Sequence, residues 1–385
     1  MKIAYLAAAS AIHTVRWVNA LAQRGQTIFL ITMHEGEEPL HEKVQLFKLQ
    51  IPAPFGYFSN VLFLKKLLKQ LQPDLLHVHY ATGYGTLGRL CGFQPVMLSV
   101  WGSDIFDFPQ KSRWHRLLLV KNLQSATQIA STSQIMATAT RQLCNDFLEQ
   151  KRQLISNFPI KNGGMSSFRQ PIAITPFGIN TRVFCPHSKL RDNSIFKIGT
   201  VKTLAPKYGI DTLIYAFYQL RKTLIERQSP KAQILRLGIA GDGQQRMELQ
   251  ALVTKLGLNE VTEFAGHLPH AQVPAYLNQL DIYVAASRLD SESFGVAILE
   301  ASACGLPVIV SRVGGLPEVV EDGVMGLIVE KDNVEQFATA LLTLIENPTL
   351  RQQMGKAGQQ HVIENYEWQD SVQILETIYQ SMTQS

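Results

Sequence analysis

At 385 residues the chain is longer than a single hydrophobic core ordinarily supports, so two domains are expected. Hydrophobic residues at 46% and charged residues at 17% exclude a disordered or fibrous protein. The net charge of +5 is unevenly spread: residues 1–180 hold 18 Lys/Arg against 9 Asp/Glu, a net +9, while residues 181–385 hold 18 against 22, a net −4, which makes the first half the one suited to an anionic surface or ligand.

The opening MKIAYLAAASA has the Lys2 and small apolar residues of a secretory signal, but its apolar run is short and His13 and Arg16 follow at once, so it reads as a buried first strand over 2–8. A loop at Ser10 to Thr14 leads into VRWVNALAQRG, whose apolar residues recur at helical spacing up to Gly25, and TIFLIT (27–32) returns to strand. The alternation continues with a helix over about 60–71, strands at 74–79 and 96–100, a basic helix from about 111 and a strand at 128–132. Near 175–196 the segments TPFGIN and CPHSKLRDNS read as an interdomain hinge. The pattern then restarts with a strand at 196–201, a helix over 210–226, a strand at 234–240 and a helix through 244–256. Strands follow at 261–266, 281–287, 307–311 and 326–330, with a helix between each successive pair except the last. Strands separated by helices predict two α/β domains with parallel sheets, 1–180 and 181–364, and a C-terminal helix at about 365–385 able to pack back on the first. Ligands of such sheets sit beyond the carboxyl ends of the strands, which places the expected active site between the halves.

Cys91, Cys144, Cys185 and Cys304 have neither CxxC nor Cys/His spacing, which argues against a zinc site or a disulfide framework and favours a reducing, cytoplasmic setting. No uninterrupted apolar run of about 18 residues occurs, so no membrane-spanning helix is expected. No Gly-x-Gly-x-x-Gly follows the first strand, which speaks against a dinucleotide dehydrogenase.

The most specific segment runs from Asp281 to Val329 and reads as strand, loop, helix, strand. Glu292 lies in the loop and Glu300 in the helix that begins near Gly295 and stops at Gly305 and Pro307. Carboxylates suit the vicinal hydroxyls of sugars and ribose, and the unpaired amides of a helix start suit hydroxyl or phosphate oxygens. By spacing alone, a loop Glu and a solvated helix Glu are the simpler account. The flanking residues change that weighting. Glu292, Glu300, Gly305, Pro307, Gly314 and Gly315 resemble the signature of retaining glycosyltransferases of family four, which have the GT-B fold: Glu-x7-Glu, an alanine-rich helix, Gly-x-Pro and a Gly-Gly turn.

The resemblance implies that Glu300 binds the donor ribose, that Glu292 contacts hydroxyls of the transferred sugar, and that the amides of Phe294, Gly295 and Val296 hold that sugar or the phosphates. It also implies that Gly266, His267 and Leu268 lie against the nucleobase, and that Lys202 and Lys207 neutralise the departing diphosphate. Lys202 stands where Arg is commoner, and Tyr208 interrupts a Lys-Gly pair before Gly209; Lys supplies charge without a bidentate fork.

In the first half the likeness is looser. The loop from Ser10 to His13 would lie near the diphosphate, although it lacks the Gly-Gly pair usual there. His79 and Trp101 are acceptor-side candidates, Trp101 standing where many relatives carry His. Asp104 either binds or deprotonates the acceptor hydroxyl or caps the following turn. The helices at 61–71 and 111–123 combine apolar residues with Lys, Arg and Trp, and either lie on an anionic bilayer or bury their apolar faces.

The resemblance implies a metal-independent enzyme with no cofactor beyond its nucleotide-sugar co-substrate, a UDP-sugar such as UDP-glucose. The acceptor would be a saccharide or lipid-linked hydroxyl in polysaccharide, lipopolysaccharide or glycolipid synthesis, met in the cytoplasm or at the cytoplasmic face of the membrane. Nucleic acid is not expected as a partner. A sugar-nucleotide 2-epimerase, a phosphorylase and a non-catalytic sugar-nucleotide-binding protein on the same fold are the alternatives.

Overall fold

A computed structural model of the chain describes residues 1–36, 38–156, 168–187, 192 and 194–384. The chain forms two compact units, residues 1–177 with 370–385, and residues 178–369. Part of the expected hinge, at 188–191 and 193, lies outside the described residues.

Each unit is built on one parallel sheet, as the alternation of strand and helix patterns predicts. The first contains β1 (Lys2–Leu6), β2 (Thr27–Thr32), β3 (Val44–Lys48), β4 (Leu75–His79), β5 (Val96–Val100), β6 (Gln128–Ser131) and β7 (Ile172–Ile174), in the order 3-2-1-4-5-6-7. Strands β4 and β5 are wholly buried, and β1 is buried after Lys2. Helices on both faces of a parallel sheet account for such continuous apolar runs.

Several elements of this unit have no counterpart in the sequence expectations, among them β3, β7 and the helices Gly83–Cys91 and Gln134–Ser156. Strand β3 is an edge strand in which Gln45, Leu46 and Lys48 are exposed, so it lacks the apolar run of its neighbours. In the helix Gly83–Cys91, glycines that cost a helix about 1 kcal/mol each are compensated by packing. A Cβ on Gly88 would stand 2.9 Å from a Val78 methyl.

The C-terminal helix Trp368–Thr383 belongs, from Asp370 onward, to the first unit. Its Tyr379 hydroxyl lies 2.5 Å from the Tyr5 hydroxyl and 2.6 Å from His77 Nδ1, and His77 Nε2 lies 2.7 Å from Ser99 Oγ. All four residues are buried, so the hydrogen bonds satisfy polar groups that would otherwise be costly.

The second unit contains β8 (Phe196–Val201), β9 (Leu235–Ala240), β10 (Thr262–Gly266), β11 (Ile282–Ala285), β12 (Val308–Ser311) and β13 (Gly326–Val329), in the order 10-9-8-11-12-13. A one-turn helix, Leu316–Val319, stands between β12 and β13, where the sequence reading expected none. The core joins Ile198, Leu237, Ile282 and Ile309 of the sheet to Leu213, Phe217, Phe337 and Leu341 of the covering helices. In each order the chain leaves the first central strand in one direction and returns on its other side. The resulting switch points lie between β1 and β4 and between β8 and β11, the place where ligands of such sheets bind.

Candidate functional site

In the second unit the loops that leave β8 and β11 meet at the switch point. Lys202 follows β8 and Glu292 lies in the loop after β11; Lys202 Nζ donates to Glu292 Oε1 at 2.7 Å, both side chains being about one-tenth exposed. Burial alone would lower the pKa of the Lys202 ammonium, but the Glu292 carboxylate, with Tyr283 and Tyr208 close by, more than offsets that and raises it. The cation is therefore retained at neutral pH. Tyr208, which interrupts the Lys-Gly pair in the sequence, places its ring between two charges: Lys202 Nζ is 5.1 Å and Lys207 Nζ 4.7 Å from its centroid. Among the described residues Lys207 forms no ion pair.

The backbone around this pair is tightly constrained. Gly209, at φ +60°, ends the turn Pro206–Tyr208 and starts the helix Ile210–Glu226. A Cβ there would stand 2.0 Å from the Ala286 carbonyl oxygen, so the two loops approach as closely as they do only through glycine. The Gly-Gly turn grips the Glu292 loop from the other side: the Gly314 N–H donates to Asp290 Oδ1 at 3.0 Å and the Gly315 N–H to the Glu292 carbonyl at 3.0 Å. On the Lys202 side, the Leu204 N–H donates to the Asp242 carbonyl at 2.9 Å, and the Asp242 carboxylate accepts from the Gly243 N–H at 2.7 Å.

Glu300 lies in the helix Val296–Ala303, whose first residue follows Gly295 at φ +87°. It is 6% exposed, so the solvated helix Glu of the simpler account does not describe it. Its Oε1 is 3.0 Å from Nε2 of His270, a residue the sequence reading passed over, and the His270 ring packs 5.5 Å from that of buried Phe184. His270 follows the loop of Gly266, His267 and Leu268; Gly266 accepts the Gly241 N–H at 2.7 Å, His267 is exposed and Leu268 partly buried. Phe294 is 4% exposed, and Gly295 is buried with Val296 partly so.

Arg288 was also missed. Its side chain bonds Pro206, Asp211, Thr212 and Asp332, and its own N–H donates to the Lys207 carbonyl at 2.8 Å. Neither His270 nor Arg288 belongs to the motif that drew attention to this segment; only their position beside an acidic or basic candidate marks them.

In the first unit the loops after β1, β4 and β5 carry the remaining candidates. His13 stands in the first turn of the helix Ile12–Gln23, which starts earlier than the apolar spacing suggests, and stacks on Phe177 with centroids 4.1 Å apart. Trp101 packs against His79 at 4.5 Å, Tyr80 at 5.1 Å and Phe177 at 5.6 Å. His79 is buried beside Thr14, its Nδ1 3.0 Å from Thr14 Oγ1; burial first, then His77 and His13, depress its pKa well below the ordinary range, so the ring is neutral. Asp104 is 1% exposed, and its oxygens accept the N–H groups of Ala81 at 3.1 Å and of Trp101 and Gly102 at 3.0 Å each. Burial raises its pKa, those backbone bonds oppose the rise, and the contacts are those of a residue holding two loops together. Among the described residues no group of three or more His, Cys, Asp or Glu is placed to hold a metal ion.

Family models match residues in both units. Residues 187–361 match the family described as glycosyl transferases group 1, and residues 2–133 match glycosyl transferase 4-like. The chain is 26% identical over 358 residues to the D-inositol 3-phosphate glycosyltransferase of Kribbella flavida, covering 88% of this chain and 79% of that protein. It is 32% identical over 206 residues to the GDP-mannose-dependent alpha-(1-6)-phosphatidylinositol monomannoside mannosyltransferase of Mycolicibacterium smegmatis, covering 50% and 52% of the two chains. Among solved structures, Anabaena HepE in complex with UDP superposes with a TM-score of 0.78 at 20% identity, over 99% of this chain and 100% of that one. Sucrose-phosphate synthase from Thermosynechococcus elongatus gives a TM-score of 0.77 at 19% identity, over 99% and 98%. The chain belongs to family four of the GT-B glycosyltransferases and is a glycosyltransferase enzyme.

Proposed function

We propose that this enzyme transfers a hexose, with retention at the anomeric carbon, from a UDP-sugar to a saccharide or lipid-linked hydroxyl. The observation that carries the reading is the Lys202–Glu292 pair at the switch point, with Lys207 on the same tyrosine ring. Glu300 takes the ribose hydroxyls, Glu292 the sugar hydroxyls, and Lys202 and Lys207 the diphosphate, so no metal ion or other cofactor is required. As the bond from anomeric carbon to phosphate oxygen breaks, the bond to the acceptor oxygen forms on the same face, and the acceptor proton passes to the departing phosphate. Fixed ammonium groups at the place where charge develops lower the barrier without reorganising. Trp101, with Tyr80 behind it, offers the acceptor sugar an aromatic face, and Asp104 holds the loop that carries it.

The UDP donor is supported by the UDP complex of a protein of the same fold, glucose being the first sugar to test; GDP-mannose, named for a relative, is the rival donor. Thermal shift with UDP-, GDP- and ADP-sugars, followed by product analysis with and without acceptor, tests the reading. Stabilisation by UDP-sugars and acceptor-dependent release of UDP are expected. Preference for GDP-mannose overturns the donor, and formation of an isomeric sugar nucleotide without acceptor overturns transfer in favour of epimerisation.

We further infer that the acceptor is met at an anionic membrane surface in a lipopolysaccharide, polysaccharide or glycolipid pathway. No helix of the described residues is long and apolar enough to cross a membrane. The first unit nevertheless exposes Phe55, Phe58 and Leu62 at 77%, 57% and 80%, on and beside the consecutive helices Gly56–Ser59 and Val61–Leu71, and follows them with exposed Lys65, Lys66 and Lys69. The longer helix buries Leu64, Leu67 and Leu68 in the core, with Val61 and Leu71 packed against it. Each lysine near an anionic bilayer contributes about 1 kcal/mol. Cosedimentation with phosphatidylglycerol vesicles at low salt, reduced in a Phe55→Ser, Phe58→Ser, Leu62→Ser variant, is expected; no binding by the parent protein removes the inference.

A further inference from the structure

We propose that Arg288 is the positioning residue that holds Lys207 on the nucleoside diphosphate, an inference that rests on the assignment of Lys207 to that diphosphate.

Lys202 has a carboxylate partner that orients it, whereas Lys207 has none among the described residues. The place of the Lys207 ammonium therefore depends on its backbone, and that backbone is a single turn, Pro206–Tyr208, between β8 and the helix Ile210–Glu226. Arg288, at the start of the Glu292 loop, brackets the turn from both ends. Its Nη1 donates to the Pro206 carbonyl at 3.2 Å, and its Nη2 donates to Asp211 Oδ2 at 2.8 Å and Thr212 Oγ1 at 2.9 Å. Its Nε donates to the Asp332 carboxylate, and its main-chain N–H donates to the Lys207 carbonyl at 2.8 Å.

Two features separate this from an ordinary surface ion pair, which would contribute little. The guanidinium faces two carboxylates, Asp211 and Asp332, so its charge is spent locally and is not offered to the donor. Its other bonds tie the turn that carries Lys207 to the helix after it, Nη1 donating to the Pro206 carbonyl and Nη2 to Thr212 Oγ1. A planar fork with five N–H groups reaches these acceptors at once; a lysine in its place has one nitrogen and cannot span them.

The test compares Arg288→Ala, Arg288→Lys, Lys207→Ala and the double variant Lys207→Ala/Arg288→Ala in the full chain, with UDP and uridine as probes. Displacing a catalytic group by about 1 Å costs on the order of 100-fold in turnover. Both Arg288 variants are expected to lose about that much in kcat and to bind UDP more weakly, with uridine binding unchanged. The double variant is expected to be no worse than Lys207→Ala, because both changes remove one contact. Parent-like UDP affinity and kcat in Arg288→Ala, alongside weakened Lys207→Ala, overturn the inference alone. Unchanged UDP affinity and kcat in Lys207→Ala overturn the assignment beneath it. Equal loss of uridine and UDP binding with a lowered Tm shows that Arg288 merely supports the fold, and also overturns the inference.

Discussion

The two sheets have the same handedness of strand order and a switch point in the same place, yet the loops at those switch points are held by different forces. Between β8 and β11 the fastenings are ionic, Lys202 to Glu292 and Arg288 to Asp211 and Asp332, and nearby the His270 ring is hydrogen-bonded to Glu300. Around β1, β4 and β5 the fastenings described are aromatic and hydrogen-bonding: His13 on Phe177, Trp101 on His79 and Thr14 to His79, while the Asp104 carboxylate is occupied by backbone N–H groups. A site that must meet an anion and let it leave benefits from fixed charges that already have partners to exchange. One that meets a sugar face benefits from rings and from a buried His79 imidazole kept uncharged.

Removing the ionic side is expected to do the most damage. The double variant Lys202→Ala/Lys207→Ala is predicted to lose several powers of ten in kcat, since each preorganised charge contact of this kind is worth roughly 100-fold or more; UDP release assays at saturating donor check it, and retained turnover means that the diphosphate is bound elsewhere. Glu300→Ala is expected to weaken UDP binding by about ten- to a hundred-fold in calorimetry, the range for a hydrogen bond to a charged group, and to leave the binding of a 2′,3′-dideoxy analogue unchanged. His270→Ala should produce a smaller loss of the same ribose-dependent kind, because it takes away the partner that fixes one Glu300 oxygen.

The aromatic side is predicted to respond more gently. Tyr379→Phe removes the hydroxyl shared by Tyr5 and His77 and is expected to cost about 1–3 kcal/mol of stability, the penalty for leaving buried groups unpaired. Burial depresses the His77 pKa from an ordinary 6.5 to about 3. In the unfolded chain the same imidazole takes up a proton near pH 6.5 while the folded one does not. This contribution to stability is therefore complete above about pH 6.5 and is lost progressively as pH falls toward 3. Thermal denaturation between pH 4 and 8 should show that slope in the parent and a shallower one in His77→Gln; identical slopes mean that His77 is not held neutral by the fold.

Much of the fold was legible in the chain itself, because buried parallel strands announce themselves as short apolar runs and the helices between them repeat at about 3.6 residues. The strand β3 escaped because an edge strand exposes polar residues, and the helix Gly83–Cys91 because its three glycines have low helix propensity. For the site, the two glutamates, the two lysines and the glycine turns were legible as members of a family pattern. His270 and Arg288 carried no such mark: His270 meets Glu300 from 30 positions away, and Arg288 meets Asp211 across 77.

The sequence by itself determined the two parallel α/β sheets and which charged residues stand at strand ends, since both follow from periodicity and from the short reach of a loop. Only the tertiary structure decided which of those charges are partnered: that Lys202 faces Glu292, that Lys207 relies on a bracket built from another loop, and that Asp104 is turned inward to hold backbone. Coulombic and hydrogen-bonding interactions act over a few ångströms of space, whatever the number of residues between the groups, so their pairing is settled only when the sheets have brought distant loops together.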